Sequence, residues 1–150
     1  MSGERVFKYV GTRPIRHDGL DKVTGRANYG ADFTLPGLLH GYVLRSPHAH
    51  ARIMSIDTSV ADAMPGVKAV ITGADIPKTT GVVLLGEDGR YDLRDMGDNL
   101  LAHDTALYEG HAVAAVAATS VEIARNAAER IIVHYENLSP VLTVDQALAP

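Results

Sequence analysis

The strongest constraint on the fold is a run of seven small apolar residues at 112–118, Ala-Val-Ala-Ala-Val-Ala-Ala. A run of this kind, with no polar alternation, is typical of a strand that is buried on both faces. Thr119 and Glu122 follow it as Thr-x-x-Glu, a capping box that predicts a helix beginning there. The helix carries an apolar stripe at three- and four-residue spacing, formed by Val121, Ala124, Ala128 and Ile131. Residues 131–136 then alternate between apolar and polar, which predicts a half-buried strand and completes a βαβ-like unit.

The first forty residues differ from the rest of the chain. They mix glycine, proline and charged residues without sustained periodicity, so residues 1–40 are predicted to form an extended arm with turns. Residues 41–150 carry the strand and helix signals and are predicted to form one domain, which is large enough to fold without disulfides. The predicted fold class is α/β (mixed α+β), with a small mixed sheet, one main helix near residues 120–130 and the extended N-terminal arm.

Weaker signals predict further strands and helices. β-rich runs at 42–44 and 53–57 predict two neighbouring strands, and residues 67–72 predict a third. Residues 79–104 hold four glycines among many charges, so we expect a long exposed loop there, with at most a short strand at 82–85. Short helices are predicted within residues 57–64 and 144–150.

The composition argues against several kinds of site. A net charge of -4 and an isoelectric point of 5.9 argue against a nucleic-acid partner. The chain contains no cysteine, which excludes disulfides, thiolate metal sites and iron–sulfur ligation by these residues. Neither a secretory signal nor an apolar run of about 18 residues is apparent, so the sequence predicts a cytoplasmic protein with no membrane partner.

His48 and His50 form the most conspicuous pair of potential metal ligands. Residues two apart on a strand point to one face, where two imidazoles could bind a metal ion. A third ligand would have to come from elsewhere in the chain, and the candidates are His40, His103, His111 and Glu109. The alternative is that Ser46 and Pro47 make a bend in which the histidines form local hydrogen bonds or a subunit contact.

Two other functional sites are conceivable near this segment, a catalytic triad and an anion-binding pair of arginines. Ser46, His48 and Asp57 could supply a catalytic triad, but the Gly-x-Ser-x-Gly turn that exposes a nucleophile is missing. Arg45 and Arg52 could bind a carboxylate or phosphate through bidentate hydrogen bonds. The favoured alternative is that they pair with surface carboxylates or contact a neighbouring domain.

The glycine-rich and acidic stretch yields no assignment either. Residues 86–89, Gly-Glu-Asp-Gly, lack the lysine and the following helix that a phosphate-binding loop needs. Asp95 and Asp98 lie in the predicted exposed loop, where water would keep them from being tuned for acid–base catalysis. Gly110 is expected to allow close backbone packing at the entry to the buried strand. The sequence therefore assigns no catalytic, cofactor-binding or metal-binding residue.

Three blocks of sequence resemble one enzyme family. They are Asp-Lys-Val-Thr-Gly at 21–25, Pro-Gly-Leu-Leu-His at 36–40 and Leu-Arg-Ser-Pro-His-Ala-His-Ala-Arg-Ile at 44–53. In order and spacing they resemble the start of the molybdenum-binding large subunit of the xanthine dehydrogenase, aldehyde oxidase and aerobic carbon monoxide dehydrogenase family. The resemblance continues to Asp-Gln-Ala-Leu at 145–148. One departure is Gly110-His111-Ala112, where many members have glycine, an acidic residue and proline.

The resemblance implies an α/β hammerhead domain, which in this family precedes the domains that hold the molybdenum. Complete members oxidise or hydroxylate heterocycles, aldehydes, activated aromatics or carbon monoxide. They use a molybdopterin cofactor, with iron–sulfur clusters and often a flavin (FAD) on partner domains or subunits. The residues that bind the pterin and the molybdenum, and the essential carboxylate, would all lie beyond Pro150, so none is transferred to this chain.

Two functions follow as expectations. The first is an N-terminal scaffold domain of a molybdopterin-dependent oxidoreductase, inactive alone, whose partners are the downstream molybdenum-binding domains and the iron–sulfur and flavin subunits. The arm and the segment from Arg45 to Arg52 would then be contact surfaces. The alternative is a stand-alone binding or assembly module of the same fold. An isolated domain is also expected to expose an apolar patch and to self-associate through it.

Overall fold

The computed structural model describes residues 7–78, 81–85 and 89–149. The chain divides into two compact units, Met1–Pro36 and Gly37–Pro150. In the first unit, the described residues form helix α1 (Gly19–Val23) and a 3₁₀ turn at Gly30–Asp32. Nearly all of its described side chains are exposed, and ion pairs such as Lys22 Nζ to Asp18 Oδ2, at 2.9 Å, lie on its surface.

The second unit holds small sheets and short helices. Its strands are β1 (His40–Arg45), β2 (Ala51–Asp57), β3 (Val67–Thr72), β4 (Val82–Leu85), β5 (Gly89–Asp92), β6 (Thr105–Ala106), β7 (Ala112–Ala118) and β8 (Ile132–Asn137). Its helices are α2 (Ser59–Asp62), α3 (Leu93–Leu100), α4 (Val121–Ala128) and α5 (Val144–Leu148). The mixed α/β class, the helix near residues 120–130 and the short helices at both predicted places are confirmed.

The sheet prediction is wrong in its detail. In the described part of the chain the strands form three sheets, ordered β1-β7-β3, β6-β2-β8 and β4-β5, instead of one small mixed sheet. Every pairing is antiparallel. The sequence pattern tells which face of a strand is buried, but it does not specify the direction of the neighbouring strand.

Strand β7 is the centre of the first sheet, as its composition predicts. Val116 lies opposite Tyr42 of β1 on one side and opposite Val70 of β3 on the other. No residue of the strand is exposed, and Val113, Ala114 and Ala118 are fully buried. The prediction of a strand buried on both faces is therefore confirmed, because β7 has a neighbour on each edge and α4 packs against it.

The βαβ-like unit predicted around α4 does not form within one sheet. β7 lies in the first sheet, whereas β8 lies in the second, where Tyr135 faces Ile53 of β2. The predicted neighbours β1 and β2 are likewise placed in different sheets, with residues 46–50 crossing between them. The main hydrophobic core lies where α4 meets the first sheet, and its buried members are Ala61, Ala114, Val116, Ala127, Ala128 and Ile131.

Helix α3 corrects the prediction of a long loop at 79–104. Strand β4 occurs where a short strand is expected, but β5 and α3 follow it. Asp92 caps the helix, since its Oδ1 accepts a hydrogen bond of 2.9 Å from the backbone N–H of Arg94. Gly97, one of the glycines that suggest a loop, is instead buried on this helix.

The cap of α4 differs by one residue from the predicted capping box. The helix begins at Val121, and Ser120 Oγ accepts from the N–H of Ile123 at 3.2 Å. Thr119 precedes the cap, and its backbone N–H donates to Gly66 O at 2.9 Å. Val121 is therefore half exposed, at 51%, rather than part of the buried stripe.

We expect Ser120→Ala to lower the free energy of unfolding by about 1 kcal/mol, because it removes the side-chain acceptor of the first turn. Thr119→Ala is the matched control and should cost less, since its hydroxyl does not cap the helix. Urea unfolding of the two variants beside the wild type measures both values. A larger loss in Thr119→Ala would instead support the predicted box.

Candidate functional site

The junction segment, residues 46–50, joins the first sheet to the second and contains the Ser-Pro-His-Ala-His motif. Ser46 is buried, and its backbone N–H donates to His111 O at 2.8 Å. The N–H of Gly110 donates to Ser46 O, also at 2.8 Å, so the junction segment is held against the loop that leads into β7. The Ser46 hydroxyl accepts from the N–H of His48 at 3.1 Å, which closes the turn.

His48 and His50 have separate local contacts. The ring of His48 stands edge-on to the ring of Tyr135, with centroids 4.8 Å apart and planes at 71°. His50 Nδ1 lies 3.0 Å from Ser139 O. The segment is a series of bends rather than a strand, so the premise that both side chains share one strand face does not hold. Among the described residues, no group of three histidines, cysteines or carboxylates is placed to hold a metal ion.

His111, a candidate third ligand, is fully buried and uses both ring nitrogens within the protein. Nδ1 accepts from the backbone N–H of Leu107 at 3.1 Å, and Nε2 lies 2.8 Å from Asp98 O. The imidazole is therefore the neutral form with its proton on Nε2, which donates to the carbonyl. Its ring stacks on Tyr108, with centroids 4.5 Å apart. No nitrogen of His111 is left for a metal ion or a substrate.

The residues of the hypothetical triad are not brought together. Ser46 bonds to the backbone of His48 and not to its ring. Asp57 Oδ1 accepts from the N–H of Ser59 at 2.9 Å, at the start of α2. This bonding to Ser59 is the main reason that the pKa of Asp57 lies below its usual value. The carboxylate thus bonds to the backbone at the start of α2, where β2 ends.

The two arginines that flank the junction segment also have partners within the domain. Arg45 Nη1 donates to Gly110 O at 2.8 Å. Arg52 Nη1 donates to Glu136 Oε2, on the paired strand β8. Both arginines are exposed, so these contacts orient them without burying their charge.

The carboxylates of the acidic stretch lie on α3. The carboxylate of Asp98 is 3.8 Å from Arg94 Nε and 3.8 Å from His103 Nε2. The carbonyl of Asp95 accepts from Asn99 Nδ2. Of the glycine-rich stretch, residues 86–88 lie outside the described residues.

Two of the clefts on the described part of this unit have titratable side chains in their walls. One, of about 410 Å³, has Lys78, Arg94, Asp98, His103 and Asp104 in its walls. The other, of about 390 Å³, lies beside the junction segment and is called the junction cleft here. Its walls are Ala49 and His50 of the junction segment together with Leu107, Tyr108, Glu109, Pro140, Val141 and Leu142. The sequence analysis does not predict this cleft. The signal in the sequence is two apolar pairs outside strands and helices, Leu-Tyr at 107–108 and Val-Leu at 141–142.

Tyr135, whose ring meets that of His48 edge-on, has a phenol with a perturbed pKa. Burial raises its pKa above the ordinary value of 10.0, and the Ser46 hydroxyl offsets part of that effect. Below pH 10 the phenol is protonated in both the folded and the unfolded chain. As the pH rises further, the unfolded chain loses the proton before the folded chain does. The free energy of unfolding therefore falls until the pH has passed the folded-state pKa of Tyr135.

We therefore expect the free energy of unfolding of the wild type to fall more steeply above about pH 10 than that of Tyr135→Phe, which has no proton to lose. Denaturant unfolding of both proteins at a series of pH values measures the difference. Parallel profiles would contradict a raised pKa for the half-buried phenol of Tyr135.

The residues present do not fit a molybdenum or iron–sulfur centre. Iron–sulfur clusters need cysteine thiolates, and the sequence has no cysteine. His50 and His111 bond to protein groups, and no three ligands converge within the described residues. The helices of the described segments are too short or too polar to cross a bilayer.

The chain resembles known proteins over most of its length. Residues 24–139 match the family model described as aldehyde oxidase and xanthine dehydrogenase, a/b hammerhead domain. A probable xanthine dehydrogenase subunit of Bacillus subtilis is 40% identical over 136 residues, which cover 91% of this chain and 17% of that protein. The carbon monoxide dehydrogenase large chain of Afipia carboxidovorans is 37% identical over 153 residues, with 99% of this chain and 18% of that protein covered.

A solved structure agrees with the sequence matches. Quinoline 2-oxidoreductase from Pseudomonas putida 86 superposes with a TM-score of 0.78 at 40% identity, over 92% of this chain and 17% of that chain. This chain therefore spans less than a fifth of these relatives. The family match covers the junction segment, the buried strand β7 and the capped helix α4 together, and the chain belongs to the aldehyde oxidase and xanthine dehydrogenase α/β hammerhead domain family.

Proposed function

We propose that the chain is the N-terminal scaffold domain of a molybdopterin-dependent oxidoreductase, a molybdenum hydroxylase, and that it has no catalytic activity alone. One observation carries the proposal: nearly the whole chain matches about one sixth of a xanthine dehydrogenase subunit and of a carbon monoxide dehydrogenase large chain. A domain that is shared by enzymes named for different substrates supports a role in the scaffold they have in common.

The chemistry is assigned to other parts of such an enzyme. In this proposal the rest of the subunit holds the molybdopterin cofactor, and partner domains or subunits hold iron–sulfur clusters and, where the enzyme uses one, FAD. This division is supported by hydrogen bonds within the chain. They hold the side chains of His111, His50 and Arg52 to other groups of the domain and not to a reactive centre. No catalytic, cofactor-binding or metal-binding residue is proposed in this chain.

Residues 1–40 serve as the arm, and residues 41–150 as the hammerhead domain. Two regions are proposed as contact surfaces, the arm and the segment from Arg45 to Arg52. The large exposed apolar side chains of the arm support a docking role, and they include Phe7, Tyr9, Ile15, Tyr29 and Phe33. The junction segment meets the rest of the subunit, and the complete enzyme assembles in the cytoplasm, without a membrane or nucleic-acid partner.

The size of the native polypeptide tests the proposal. An antibody raised against this chain is used on extracts of the source cells, and the captured protein is assayed for molybdenum. We expect a band several times larger than the 16.0 kDa of this chain, with molybdenum bound. A native band of 16.0 kDa without molybdenum would contradict the proposal and would favour a stand-alone binding or assembly module.

A further inference from the structure

The junction cleft exposes large apolar side chains from two segments that are distant in sequence. Leu107 and Tyr108 are 51% and 46% exposed, and Val141 and Leu142 are 64% and 72% exposed. All four line the same cleft of about 390 Å³. A concave apolar surface of this kind gains free energy when a side chain fills it and excludes water.

The rim of the cleft carries a carboxylate that lacks a partner. Glu109 makes no hydrogen bond or ion pair with any described residue. Arg45 donates to Gly110 O, and Arg52 pairs with Glu136. His50 bonds to Ser139 O. Glu109 is exposed, so a lysine or arginine of an occupant of the cleft can pair with it.

The walls of the cleft are fixed by hydrogen bonds. The N–H of Leu107 donates to the buried ring of His111 at 3.1 Å, and the N–H of Leu142 donates to Gln146 Oε1 at 2.8 Å. The N–H of Leu138 donates to His50 O at 2.9 Å, which ties the far wall to the junction segment. A surface that is ordered before binding loses little conformational entropy when its partner arrives.

We propose that the junction cleft seats a segment of the molybdenum-binding part of the same subunit, which inserts an apolar side chain between Leu107 and Leu142 and places a lysine or arginine beside Glu109. This inference rests on the proposed function. It favours the same subunit over other partners because about five sixths of the matched relatives lies outside this chain. A covalently joined segment also has a high effective concentration at the cleft.

Thiol labelling of the complete subunit tests the proposal, because the 150 residues contain no cysteine of their own. Leu142→Cys places a thiol in the cleft. Val121→Cys is the control, since Val121 is half exposed on α4 and does not line the cleft. Both variants are prepared as the full-length holoenzyme, treated with a maleimide, and followed by mass spectrometry of the labelled peptide.

We expect the thiol at position 142 to react at least about tenfold more slowly than the thiol at position 121, because reaction requires local opening of a buried contact. Adding Glu109→Lys should raise the rate at position 142 severalfold, whereas Glu109→Gln should raise it less, since only the lysine repels the cation of the occupant. Equal rates at the two positions would overturn the proposal.

Cross-linking from the thiol at position 142 identifies the occupant. A cross-link to a later segment of the same polypeptide supports the proposal, and one to a second copy or to another subunit overturns it. Failure of the proposed function would be seen separately, as a native polypeptide no larger than this chain.

Discussion

The variant Gly73→Ala is expected to lower the free energy of unfolding by about 3 kcal/mol, the upper end of the usual range for overpacked sites. Gly73 is buried where β3 ends. A Cβ atom added there would lie 2.8 Å from the Cα of His103 and closer still to the carbonyl oxygen of Ala102. Both obstacles are backbone, so a change of side-chain rotamer cannot relieve the clash.

Neither backbone segment is free to move away. Ala102 is fully buried, and its N–H donates to Ala112 O at 2.8 Å, which links it to β7. On the other side, the N–H of Thr72 donates to Asp75 Oδ2 at 2.8 Å and closes the turn that contains Gly73. The clash must therefore displace either β3 or the segment around Ala102 that is hydrogen-bonded to β7. Either displacement disturbs the first sheet.

Gly41→Ala is the matched control for this prediction. Gly41 is a strand residue of the same unit, and the nearest atom to an added Cβ is Val116 O at 4.0 Å, an ordinary contact. Its free energy of unfolding should stay within about 0.5 kcal/mol of the wild type. Urea unfolding of the three proteins measures the effect, and a Gly73→Ala value close to that of Gly41→Ala would show that the close approach does not constrain the fold.

The second large effect is expected for His111→Ala, with a loss of about 3 to 5 kcal/mol. The substitution leaves a cavity where a fully buried ring stood. It also removes the acceptor of the Leu107 N–H and the donor to Asp98 O, so two backbone groups lose their partners. These groups belong to the loop before β7 and to α3, which His111 connects.

His50→Ala provides the comparison, since it removes a histidine from the same region. His50 is half-buried and has one side-chain hydrogen bond, to Ser139 O. Its loss should therefore cost about 1 kcal/mol. If thermal and urea unfolding gave His111→Ala a cost as small as that of His50→Ala, the role of the imidazole as a link between α3 and β7 would be wrong.

Several features could be predicted from the sequence because they depend on local patterns. The apolar run at 112–118 specifies a buried strand whatever lies beside it, and β7 is such a strand. Proline and glycine at 65–66 end the short helix α2, and the pattern at 67–72 gives β3. The order and spacing of the blocks at 21–25, 36–40 and 44–53 also sufficed to indicate the family.

Other features depend on contacts between distant residues. The capping motif at Thr119 and Glu122 fits a helix, yet the backbone amide of Thr119 is taken by Gly66 O, so Ser120 becomes the cap. His48 and His50 share a spacing that suggests a common face, but the bend after β1 directs them to Tyr135 and Ser139. These outcomes depend on where the chain turns, which the spacing alone does not encode.

The sequence by itself determined the mixed α/β class, the buried strand and the family. Only the tertiary structure decided that β1 and β2 enter different sheets, that residues at 107–109 and 140–142 form one cleft, and that His111 has no free nitrogen. The physical reason is that periodicity specifies which face of an element is buried, whereas pairing, cleft formation and hydrogen-bond partners depend on long-range packing.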